Sequence, residues 1–195
     1  MHPNITLYFV RHGQTSWNFA RRIQGQLDTE LNETGRGQAA GNGQRLAQLR
    51  DDIATLDFVA SPLQRCRETM EIIRERLGMS REGYGTDDRL KEIHFGSWQG
   101  THWPEVSTVD PDGAADRLAD PYNWRPPGGE SYADLTERCA AWLADIERDS
   151  VVVAHGGVSR ALRGHIYKLA PEDVTELSVP QNKILILRSD GMDWA

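Results

Sequence analysis

The run SVVVAHGG, residues 150–157, constrains the fold more than any other stretch of this chain. It is continuous and β-branched, with no polar alternation, which predicts a central strand covered on both faces, as in a parallel sheet. It stops at His155 and two glycines. A second apolar run, Ile5 to Val10, stops in the same way at Arg11 and His12, followed by Gly13. A third, TLDFVAS (55–61), runs through Ser61 and Pro62 to Arg65. Polar and charged groups at the end of a buried strand are costly unless something there satisfies them.

Between these runs lie helical patterns. Residues 34–50 are expected to be helical, although Gly35, Gly37, Gly41 and Gly43 each weaken a helix by about 1 kcal/mol relative to Ala. After the 55–61 strand, Ser61 is placed to cap a helix, Pro62 suits its first turn and Gly78 can end it. Leu63, Cys66, Met70, Ile73 and Leu77 form its apolar stripe. A short strand is expected within 85–92. Ser131 is read as the N-cap of a helix whose stripe is Tyr132, Leu135, Cys139, Trp142, Leu143 and Ile146. Residues 158–169 read as helix and KILILR (183–188) as the final strand. Strands and helices alternate, so the expected fold is a three-layer α/β/α sandwich with a mostly parallel central sheet. The whole chain, 1–195, reads as a single domain, with an irregular, lid-like excursion at about 93–130.

Ligands of such sheets bind at the C-terminal ends of the strands. If the three strands are neighbours, Arg11, His12, Arg65 and His155 face one crevice, and Glu92 is delivered to the same edge. Two guanidiniums offer forked donors that match a phosphate. Two imidazoles offer a nucleophile and a donor. Arg11 and Arg65 are expected to keep their neighbouring histidine neutral. A carboxyl beside a phosphate dianion holds its proton more readily, so Glu92 is the candidate proton donor.

The net charge of −7 means that nucleic acid and anionic membrane are not expected partners, so a phosphorylated ligand needs a local basic pocket. Cys66 and Cys139 fall on apolar stripes and read as buried small hydrophobes rather than as a disulfide. The N-terminal segment lacks a basic region, and its apolar run is too short for an export signal or a membrane span; a soluble cytoplasmic protein is expected. His2, His94, His102 and His165 show no metal-ligand spacing, so neither a metal nor a cofactor is expected.

The block VRHGQTSWN resembles the signature of the histidine phosphatase superfamily, which includes cofactor-dependent phosphoglycerate mutases and many small phosphatases. SPLQRCRET, LKEIHFGSWQG, PPGGES and VVVAHGGVSRAL resemble its further blocks, in order, across essentially the whole chain. The resemblance implies a phosphoglycerate mutase-like fold and a role for each matching position. His12 is the histidine that becomes phosphorylated. Arg11 and Arg65 hold the phosphate, and His155 is a second histidine in contact with it. Glu92 donates the proton and then activates water. Asn18 and Gln24 line the phosphate pocket, while Gly13, Gly156 and Gly157 let the backbone approach it. Gln14 and Gln99 stand where many members carry Glu, and His94 where a small polar residue is common; each is expected to bear on substrate choice.

Three activities compete on such a site: a metal-independent phosphatase of a small phosphorylated metabolite, a phosphoglycerate mutase, and a silent phospholigand-binding regulator. The excursion carries Arg117 and Arg125 against Glu105, Asp110, Asp112, Asp116 and Asp120. An acidic lid retains a bisphosphorylated intermediate poorly, which favours hydrolysis. Trp98, Trp103 and Trp124 either pack the excursion onto the body or wall the substrate cavity. The expected partner is a small phosphorylated substrate, and the expected assembly a monomer or homodimer.

Overall fold

The computed structural model describes residues 4–195, so His2 lies outside the described residues. Six strands form one sheet, in the order β3 (Gly85–Thr86), β2 (Asp57–Ala60), β4 (Ser150–Ala154), β1 (Leu7–Arg11), β5 (Ile184–Arg188), β6 (Gly191–Trp194). The first four run parallel; β5 is antiparallel to β1, and β6 to β5. β4 lies between β2 and β1 and is buried throughout, as its unbroken β-branched run requires.

Strand alternation divides the core in two. Leu7, Phe9, Val152, Ala154, Leu185 and Leu187 pack on one face against α6 (Tyr132–Ala144), α7 (Gly156–Tyr167) and α8 (Pro171–Glu176). Tyr8, Val10, Val151, Val153 and Ile184 pack on the other against α2 (Glu33–Leu49) and α3 (Gln64–Arg76). The three-layer α/β/α sandwich is therefore present, and Cys66 and Cys139 are free, buried members of its two cores.

Several expected elements change in detail. The glycines of α2 serve close approach: a Cβ on Gly43 would lie 2.8 Å from the Arg76 Cβ of α3, whereas Gly37 and Gly41 face open space. Ser61 does not cap α3, whose N-cap is Leu63; its hydroxyl is 2.8 Å from His155 Nε2 instead. Gly78, at φ +71°, does end that helix, with Met79 N–H donating to Arg74 O. The strand expected within 85–92 is two residues long, and α7 starts at Gly156 rather than Val158. β5 is not the last strand, because the chain turns back at once into β6. The excursion is not irregular throughout: it contains α4 (Val106–Val109) and α5 (Pro111–Ala119).

Candidate active site

The sheet ladder continues one residue beyond the strands. His12 N–H donates to Ala154 O at 2.9 Å, and Ser61 N–H to Val153 O at 2.9 Å. His12, Ser61 and His155 are thus held at one level by backbone geometry, where β1, β2 and β4 all end. α1 (Ser16–Phe19) follows β1, and its N-cap Thr15 forms a capping box with Asn18. This fixes Asn18 in the lining of a cavity of about 140 Å³. Arg11, His12, Gln24, Arg65 and Glu92 also line that cavity.

His12 is 2 % exposed. Its Nδ1 lies 2.8 Å from Gly13 O, and a carbonyl only accepts, so Nδ1 carries the proton and Nε2 keeps its lone pair. The imidazole is held well below its ordinary value, first by burial, then by Arg65 and Arg11. Neutrality was expected from the arginines; burial proves the larger cause. His155 is fully buried, its ring centroid 5.2 Å from that of His12, and it too is held neutral chiefly by burial. It sits behind the cavity wall, against Ser61 Oγ and Cys66 Sγ.

The guanidiniums are anchored by carbonyls, not carboxylates. Arg65 donates to Leu27 O and Gly25 O, at 2.9 and 2.7 Å, and Arg11 to Val179 O at 2.8 Å. Each retains a buried Nε with no hydrogen-bond partner. Burial pushes both groups below their ordinary values, a penalty that a bound anion would offset. Arg65 lines the cavity, whereas Arg67 is exposed. Gln24 Oε1 accepts from the hydroxyls of Thr15 and Thr29, which turns its amide nitrogen away from them.

Glu92 sits at the start of α7, where its carboxylate accepts from Gly157 N–H at 3.0 Å and Ile93 N–H at 3.0 Å. A Cβ on Gly157 would collide with Glu92 Oε1. Gly157 is therefore a glycine for the sake of the carboxylate. Gly13 has another reason: it backs onto Gly35 at the start of α2, where a side chain would strike the Gly35 carbonyl. Only Gly156 and Gly157 of the three line the cavity.

Gln14, Gln99 and His94 do not line it. Gln14 Oε1 accepts from Asn32, the N-cap of α2, and Gln99 Oε1 from Gln26 N–H. His94 Nδ1 accepts from Gly96 N–H. Any influence of these three on substrate choice is indirect. The tryptophans divide: Trp103, 37 % exposed, lines the cavity. Trp98, 3 % exposed, stacks on Trp124 at 4.4 Å and holds the excursion together. None of the excursion's acidic residues lines the cavity, and Asp110 is the N-cap of α5.

Sequence reasoning missed Arg22, Tyr132 and Arg160 as lining residues. Arg160 lies one helical turn after Gly156, and its position in VAHGGVSR was the available signal. Its Nε donates to Leu177 O at 2.8 Å. The cavity thus gathers four guanidiniums around a single carboxylate, the local basic pocket that an acidic chain needs for a phosphorylated ligand. Among the described residues, no group of three His, Cys, Asp or Glu side chains is placed to hold a metal ion.

A neutral buried imidazole beside two anchored guanidiniums, at the C-terminal edge of a doubly covered sheet, is chemically suited to a phosphorylated ligand. The chain belongs to the histidine phosphatase superfamily (branch 1), whose model matches residues 7–195. It is 37 % identical over 179 residues to a glucosyl-3-phosphoglycerate phosphatase of Mycobacterium tuberculosis (strain CDC 1551 / Oshkosh), covering 84 % of this chain and 75 % of that protein. It is 33 % identical over 186 residues to a 2,3-bisphosphoglycerate-dependent phosphoglycerate mutase of Cytophaga hutchinsonii, covering 89 % and 82 %. The solved structure of mycobacterial glucosyl-3-phosphoglycerate phosphatase with VO3 superposes with a TM-score of 0.80 at 33 % identity, covering 98 % of this chain and 96 % of that one.

Proposed function

We propose that this chain hydrolyses a small phosphomonoester through a phosphohistidine at His12, without a metal. One observation carries the reading: His12 is neutral, buried and locked with Nε2 unprotonated, beside two guanidiniums whose buried Nε atoms lack partners. That Nε2 attacks phosphorus, forming a P–N bond as the ester P–O bond breaks. Arg11 and Arg65 stabilise charge on the equatorial oxygens, the role that a metal fills elsewhere. His155 packs edge-on against the His12 ring and backs the nucleophile, while Asn18 and Gln24 complete the pocket. The Glu92 carboxyl gives its proton to the leaving alkoxide. It then takes a proton from water, which attacks phosphorus and releases His12 and phosphate.

The phosphatase relative and the solved phosphatase structure support hydrolysis over mutase chemistry. No helix of the described residues is long and apolar enough to cross a membrane. Two free, buried thiols suit a reducing compartment, and we place the enzyme in the cytoplasm as a monomer or homodimer.

Brief reaction with a phosphomonoester should leave an acid-labile phosphate mapped to His12 by mass spectrometry. The His12→Ala protein should release phosphate at less than about a hundredth of the wild-type rate. A chelator should leave the wild-type rate unchanged. Label on another residue, or chelator loss restored by added metal, would count against the scheme. Conversion of 3-phosphoglycerate to 2-phosphoglycerate with dependence on 2,3-bisphosphoglycerate would favour the mutase instead.

A further inference from the structure

Arg22 projects to the cavity from a loop that is not part of the sheet edge. The loop is stitched to the excursion by backbone hydrogen bonds: Gly100 N–H to Ile23 O at 2.8 Å, Ile23 N–H to Thr101 O at 2.9 Å, and Trp103 N–H to Arg21 O at 3.0 Å. Arg21, immediately before it, adopts a left-handed backbone at φ +53°. For a residue with a Cβ this conformation costs roughly 1 kcal/mol or more and persists only where its surroundings impose it. Among the described residues, no carboxylate pairs with Arg22. Its guanidinium lies 5.2 Å from the centroid of the Trp17 ring and 3.0 Å, at Nη2, from His102 Nε2.

The second contact fixes the state of His102. Its Nδ1 lies 3.0 Å from Ala20 O, which only accepts, so Nδ1 carries the proton. A guanidinium only donates, so Nε2 must be the acceptor. Both bonds are satisfied only by the neutral Nδ1–H tautomer. His102 is thus a fixed bridge from a backbone carbonyl to Arg22. It leaves that arginine oriented, uncompensated by any anion, and close to a phosphate site that already has Arg11 and Arg65.

We propose that His102 is a positioning residue, holding Arg22 to grip a second anionic group, such as a carboxylate, on the ester beyond its phosphate. The proposal rests on the phosphate site described above and concerns substrate choice, not the chemical step. Its test measures binding, so it is separable from turnover. Affinities for 3-phosphoglycerate and for inorganic phosphate are measured by calorimetry on the His12→Ala protein, alone and with Arg22→Ala, His102→Ala or His102→Gln added. His102→Ala should weaken 3-phosphoglycerate by about tenfold, the scale of one lost hydrogen bond to a charged group, and inorganic phosphate by less than about twofold. His102→Gln, which keeps an acceptor near Nε2, should restore most of the loss. Arg22→Ala should weaken 3-phosphoglycerate at least as much, and adding His102→Ala to it should change nothing further. Equal losses for both ligands, failure of Gln to rescue, or additive losses in the double variant would overturn the proposal. Failure of the hydrolysis reading would show separately, as absence of phosphate release by the unmutated protein.

Discussion

The floor of the cavity and its rim are built by different means. The floor is set by three strand ends whose ladder hydrogen bonds continue to His12 and Ser61, so its residues share one level because the sheet does. The rim is set by loops 21–27 and 92–103, held by scattered backbone bonds, a carboxylate at the start of α7 and a small tryptophan cluster. A strand end tolerates little displacement without disturbing the core. A rim residue can change while the fold survives. This contrast suggests where mechanism and where substrate choice reside.

The strongest way to break the contrast is to remove the rim's internal support. Trp98→Ala should destabilise the fold by about 3–5 kcal/mol, as for other buried Trp truncations, read as a shift in the denaturant midpoint. Trp103→Ala, at an exposed neighbour 6.4 Å away, should cost less than about 1 kcal/mol and act on KM. Equal destabilisation by the two would mean that the rim has no internal core.

Gly157→Ala tests the point where floor and rim meet. The new Cβ would collide with Glu92 Oε1 and lie 3.1 Å from Leu135 Cδ2, so the carboxylate must shift. kcat on phenyl phosphate should fall about ten- to hundredfold, with a smaller fall on p-nitrophenyl phosphate, whose leaving group needs no proton. Equal losses on both esters would remove proton donation from the role of Glu92.

The smallest effect concerns acid. His12 and His155 are held neutral in the folded state, so below about pH 6.5 the unfolded chain takes up protons that the folded chain does not. Stability therefore falls as pH drops through that range, by about 1 kcal/mol per buried histidine between pH 6.5 and 5.5. His155→Gln should flatten the decline measured by denaturant titration at several pH values. An unchanged slope would show that His155 does not carry its share.

The floor was legible in the sequence because its signals are local. An unbroken β-branched run declares a covered strand, and Arg11, His12 and His155 directly follow such runs. Arg65 was separable from Arg67 only through the family block, since both lie on one helix. The rim was less legible. Arg22 and Arg160 reach the cavity through loop closure and helix phase, which no short window encodes. Trp98 and Trp103 lie five residues apart in one stretch without clear periodicity, and packing distinguishes them. Gln14, Gln99 and His94 differ from the common family residues yet face other loops. A sequence difference near a motif is therefore a poor guide to position in the cavity. Ser61 misled for a similar reason: a serine before a helix suits a cap, but the adjacent β4 offered its hydroxyl a histidine.

The carbonyl anchors of Arg11, Arg65 and Arg160 carry a consequence for mutational drift. Every L-residue presents the same main-chain oxygen, so the side chains at positions 27, 177 and 179 can vary without loosening the grip on these guanidiniums. What such a site does not tolerate is a change in loop length. One inserted residue between 24 and 28, or between 176 and 180, would swing those oxygens aside and release the cations that they aim.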